Sequence, residues 1–136
     1  MGMGGMVKAL LGDRRGVASL EFILVLPILL LILFGSVELS RAWFTMNLMT
    51  TAAREGVRAG VVAPADQVTA VATARIDQFL GAGNWSGSIT CNPAPCAPDS
   101  QVTANISMTF NTVLPNLLWM LPQPIVLNQT ASMRYE

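Results

Sequence analysis

From Val17 to Val37 the chain reads VASLEFILVLPILLLILFGSV, and among these 21 residues Glu21 is the only charge. About 20 apolar residues in a helix cross the roughly 30 Å of bilayer hydrocarbon, so this run predicts a membrane-spanning segment. Polarity returns after Ser36, but apolar or small residues recur at Leu39, Trp43, Met46, Thr50, Ala53 and Val57, alternately four and three apart. That spacing keeps to one side of a helix. It predicts a single helix over 17–62, about 70 Å long at 1.5 Å per residue, which Pro64 ends. Pro27 cannot donate to the carbonyl of Ile23, so local loosening is expected there, which a membrane helix tolerates. The stripe is expected to pack against the protein's own domain, with part of the same face left for neighbouring helices. Gly56 and Gly60 read as close-packing sites on it.

Beyond Pro64 the period changes twice. Asp66 is the expected N-cap of a second helix over about 67–80, with Val68, Val71, Ala72, Ile76, Phe79 and Leu80 on one side and Gly81 and Gly83 closing it. The stretch WSGSITC and the alternation Val102, Ala104, Ile106, Met108, Phe110 against Thr103, Asn105, Ser107, Thr109 read as half-buried strands. Pro115, Pro122 and Pro124 break the chain around 117–121, and residues 125–135 read as a last strand. The predicted fold class is α+β: a long N-terminal helix, a shorter second helix and an antiparallel sheet of about three strands. The expected organisation is a leader over 1–16, the N-terminal helix over 17–62 with its span at about 17–37, and an exported α+β domain over 63–136.

Composition narrows the chemistry. The apolar share is 52% and the charged share 12%, half the roughly 25% of an ordinary soluble domain, which again points to lipid or a partner-covered surface. Net charge is zero with no Lys/Arg-rich run, so nothing in the sequence matches a phosphate backbone and no nucleic-acid partner is expected. The chain has no histidine, the commonest general base and zinc ligand, and its Asp, Glu, Ser and Lys residues fall in no nucleophile, phosphate-loop or metal-ligand spacing. No catalytic residue, metal or cofactor is expected, and the chain does not read as an enzyme. Lys8, Arg14 and Arg15 stand before the span against Asp13 alone, which by the positive-inside rule keeps the N-terminus cytoplasmic and exports the chain beyond Val37. An ordinary signal peptide fits poorly, because Phe34 stands where a small residue is wanted for cleavage.

A carboxylate inside a membrane helix costs about 2.5 to 3.5 kcal/mol on insertion scales, so Glu21 calls for a function or a partner. It is preceded by Arg14, Arg15, Gly16 and the four residues Val17 to Leu20, and followed by Phe22. The arrangement resembles a prepilin processing site, which implies cleavage between Gly16 and Val17 by a membrane-embedded prepilin peptidase and an assembly role for Glu21 and Phe22. Val17 and Ser19 depart from the type II secretion pseudopilins and type IVa pilins. VASLEF followed by ILVLPILLLILFG, with AAREGVRAG at 52–60 and the ending SMRYE, resembles the TadE-like minor pilins of the tight-adherence pilus system. That resemblance implies a structural or assembly subunit of a Tad-type pilus, in the inner membrane with a periplasmic C-terminal domain. Its implied partners are the other pilus subunits and the inner-membrane assembly platform. The alternative reading is a signal-anchored periplasmic binding protein that never polymerises.

Cys91 and Cys96 frame Asn-Pro-Ala-Pro in the expected connection between the first two strands. Two cysteines allow one pairing, and in an oxidising compartment a disulfide is expected there, contributing about 2 kcal/mol. Asn84, Asn105 and Asn128 each begin an N-x-Ser/Thr pattern, which matters only in a glycosylating pathway.

Overall fold

Helix α1 runs without interruption from Arg14 to Val61 and carries Pro27 inside it. A computed structural model describes residues 14–112 and 124–135 of the chain. After α1 come helix α2 (Val68–Leu80) and strands β1 (Ser86–Asn92), β2 (Gln101–Phe110) and β3 (Ile125–Arg134), which together make the α+β fold that the periodicities predict. The expected break around 117–121 lies outside the described residues. The chain divides between Leu39 and Ser40 into two compact units.

In the first unit α1 carries the apolar run, and none of the residues Val17 to Val37 is buried by the protein itself. By length and composition this helix is able to cross a membrane. Its backbone groups are paired within the helix, and Ser36 donates its hydroxyl to the carbonyl of Leu33 at 2.8 Å, so even the polar side chain ending the run needs no water.

In the second unit the remainder of α1 and all of α2 pack with the sheet. The strands form an antiparallel meander in the order β1-β2-β3, with Cys91 opposite Val102 and Phe110 opposite Ile125. Because side chains alternate across a strand, the register puts Val102, Ala104 and Ile106 into the core and Thr103, Asn105, Ser107 and Thr109 on the other face. The core joins them to Met49, Ala52, Ala53 and Val57 of α1 and Val68, Ile76 and Leu80 of α2. Each fully buried Val, Ile or Met side chain of this set contributes about 1.5 to 3 kcal/mol.

The buried stripe of α1 differs from the predicted one. Ala53 and Val57 are covered, but Leu39 and Trp43 remain 71% and 68% exposed, and the buried apolar side chains of the helix begin at Met49. The contact face runs through Met49, Ala52, Ala53, Gly56, Val57 and Gly60, and the small residues among them, Ala52, Ala53, Gly56 and Gly60, are what let another element lie close. An added Cβ at Gly56 would stand 2.5 Å from Cγ1 of Ile76, so the glycine is what lets α2 lie this close. At Gly60 the corresponding approach, 3.3 Å to Cβ of Ala72, is merely tight.

The start of α2 also differs from expectation. Gln67, not Asp66, occupies the capping position, in a right-handed conformation and with no side-chain cap bond. Its N–H donates instead to the carbonyl of Pro64 at 2.8 Å. A turn that already delivers the chain in helical conformation lacks the extended capping residue from which an Asp side chain could reach back. At the other end Gly81, with φ of 82°, donates its N–H to the carbonyl of Asp77, as a glycine stop does.

Candidate functional site

Gly16, Val17, Glu21 and Phe22 all lie in the first turns of α1, which begins at Arg14 rather than at Val17. The Gly16–Val17 peptide is therefore helical. Glycine within a helix costs about 1 kcal/mol relative to alanine, so Gly16 is a weak point of this turn. Val17 and Glu21 are four residues apart and so share one helical face. Val17 is 48% and Phe22 62% exposed, and the Glu21 side chain is exposed as well. Glu21 is the only charge between Arg15 and Glu38, so no residue in that interval of the sequence can serve as its counter-ion.

Several charges beyond the apolar run belong to structural pairs. Glu55 lies 3.8 Å from Arg58 one turn on and 3.8 Å from Arg75 of α2. The first pair is legible in the sequence as an i, i+3 spacing; the second exists only because α2 packs against α1. Asp77 accepts a hydrogen bond from the indole of Trp85 at 2.8 Å, and Arg134 meets Asp99 at 3.4 Å. The guanidinium of Arg41 lies over the ring of Phe110, 5.4 Å from its centroid. Among the described residues no three of His, Cys, Asp or Glu gather as metal ligands would.

Cys91 and Cys96 form the disulfide expected from the sequence, with Cα atoms 5.2 Å apart. Cys91 is in β1 and Cys96 in the β1–β2 connection, and both half-buried residues pack on the core cluster. The bond therefore fastens that connection to the sheet. Tyr135, from the C-terminal SMRYE, is held through its backbone and its side chain alike. Its N–H donates to the carbonyl of Ser100, its carbonyl accepts from the N–H of Asp99, and its phenol donates to the carbonyl of Ala63.

Residues 16–58 match the model of a family described as TadE-like protein, a stretch that begins at the candidate processing glycine and covers about a third of the chain. Neither the curated proteins nor the solved structures compared with the chain gave a match.

Proposed function

We propose that this chain is a minor pilin or pseudopilin, a structural or assembly subunit of a Tad-type pilus, cut by a prepilin peptidase between Gly16 and Val17. The observation that carries the reading is Glu21: one carboxylate, fifth after Gly16, at the head of an otherwise uncharged and exposed helical run. The TadE-like match over residues 16–58 supports it, since it spans this site and the helix beyond. In this reading the protein catalyses nothing. It is a single-pass inner-membrane protein whose basic N-terminus stays in the cytoplasm and whose domain is periplasmic.

Cleavage after Gly16 creates an α-amino group on Val17. Helices that bundle in the membrane or in a filament core place Glu21 of one subunit in a medium where a lone charge costs several kcal/mol and a paired one much less. The new amine of an adjacent subunit is the natural counter-charge. Their pairing sets the axial register of one helix against the next, while the apolar residues around them supply contact area. The other pilus subunits and the inner-membrane assembly platform are the partners this requires.

Mass spectrometry of the membrane-extracted protein tests the processing step. A mature chain beginning VASLEF is the expected result. Retention of residues 1–16 favours the non-polymerising signal-anchored protein, and a first residue beyond Val37 overturns both readings.

A further inference from the structure

The sheet has two open edges, and neither is guarded. β1 and β3 flank β2, and among the described residues no other backbone segment pairs with either of them. A bare edge strand is ordinarily protected by charge, proline, a bulge or brevity, because its free N–H and C=O groups invite another strand. β3 is 10 residues long, holds no proline and carries one charge, Arg134, at its last position. It follows β2 without a bulge. β1 has neither charge nor proline over its 7 residues. The core-facing rows of both edges are also left partly open. Ile89, Cys91 and Ala131 are half-buried and Met133 is 37% exposed, whereas Val102 and Ala104 between them have no exposed surface.

The register selects the strand that fits. β1 and β3 both run antiparallel to β2, hence parallel to each other, and the pairings align Gly87, Ile106 and Gln129 in one row across the sheet, Ile89, Ala104 and Ala131 in the next, and Cys91, Val102 and Met133 in a third. A second copy shifted sideways in the same orientation continues these rows, with its β1 beside β3 of the first. Gln129 then meets Gly87, Ala131 meets Ile89 and Met133 meets Cys91, so in every row a longer side chain lies against a shorter one, as close packing requires. The opposite face stays uncharged through the joint, with Asn128 beside Ser86 and Thr130 beside Ser88. Pairing β3 with a second β3 would leave both β1 edges bare, whereas β3 with β1 covers one edge of each kind at every joint. We propose that copies of this chain add to one another edge to edge, β3 of one pairing in parallel with β1 of the next, in a head-to-tail contact that leaves a free edge at each end for a further copy. The contact uses only the sheet and is independent of the processing step proposed above.

Disulfide trapping in the full-length protein tests the contact. Two differently tagged forms are co-expressed and the cells oxidised before lysis, one form carrying Asn128→Cys and the other Ser86→Cys, Ser88→Cys or Thr90→Cys in turn. Neighbouring strands lie about 4.8 Å apart, within the Cα separation that a disulfide spans, while each two-residue step along the strand adds about 6.6 Å of offset. The supporting result is a linked pair of the two forms that is most abundant with Ser86→Cys and falls severalfold at Ser88→Cys and again at Thr90→Cys. Absence of linkage overturns the contact. Linkage equal at the three positions, or greatest elsewhere than at Ser86→Cys, overturns it as well, and so does linkage of the Asn128→Cys form to itself, which would set β3 against β3. Adding Thr130→Lys to the first form and Ser88→Lys to the Ser86→Cys form sets like charges side by side and should lower the linked fraction about fivefold. Cys91 and Cys96 should stay unlabelled by a thiol reagent in that pair, and undiminished linkage there overturns the contact too.

Discussion

The phenol of Tyr135 donates a hydrogen bond of 2.8 Å to the carbonyl of Ala63, tying the end of the chain to the turn between the two helices 72 residues earlier. Ala63 is buried and its own N–H is taken by the carbonyl of Gly60, so the bond completes a turn that also starts the descent into α2. Tyr135→Phe keeps the ring and removes the donor, which leaves a covered carbonyl unsatisfied. A loss of about 1 kcal/mol is expected. Chemical denaturation of the full chain in detergent, wild type against Tyr135→Phe, measures it, and an unchanged midpoint would show that water replaces the phenol without loss.

Gly56 and Gly60 should respond differently to the same change. At Gly56 a Cβ would stand 2.5 and 2.8 Å from Cγ1 and Cδ1 of Ile76, a side chain with no exposed surface along which to move. Overpacking of this kind costs about 1 to 3 kcal/mol, more than the roughly 1 kcal/mol that alanine adds to a helix. Gly56→Ala is therefore expected to lower stability, and adding Ile76→Val to restore part of it. Gly60→Ala meets its neighbours at 3.3 and 3.4 Å and is expected to be near neutral. Equal effects at the two positions would mean that helix propensity, not the approach of α2, decides.

Both cysteine sulfurs are engaged, so a thiol-reactive label applied to the unreduced protein should attach to neither. Replacing Cys91 and Cys96 together by serine should lower stability by about 2 kcal/mol and leave the membrane helix unaffected. Labelling of the unreduced, exported protein followed by mass measurement checks the first expectation, and denaturation with and without reductant the second.

Glu21→Gln keeps size and polarity and removes the charge that assembly requires in the proposed function. The variant should insert, be processed and fold as wild type does, while its association with the other pilus subunits drops. At equal membrane levels, co-purification from cells carrying either form distinguishes the outcomes. Unchanged association together with unchanged piliation would show that the carboxylate is tolerated rather than used.

Much of the architecture can be read locally. A run as apolar as Val17–Val37 predicts a membrane-length helix regardless of the rest of the chain, because its partition depends on composition over about 20 residues. The parity of Val102 to Phe110 indicates the strand and its inward face, and Gly81 indicates the stop of α2, each from residues within a few positions of one another. Glu21 stands out for the same reason, as a charge whose cost can be counted without knowing any fold.

The features decided by tertiary structure have a common cause. Gly56 and Gly60 read as close-packing sites in the sequence, but which element packs on them, and that Ile76 and Ala72 are the residues opposite, appears only in the fold. Asp66 loses the capping position to a backbone turn whose geometry depends on how α1 ends before Pro64. Arg75 reaches Glu55, and Tyr135 reaches Ala63, across intervening chain that only the packed core holds closed. Local periodicity is set by neighbours a few residues away, so the sequence by itself determines the elements and the membrane-length run. Which faces meet depends on closing long loops, and that is decided by shape complementarity between elements that no short window of residues contains.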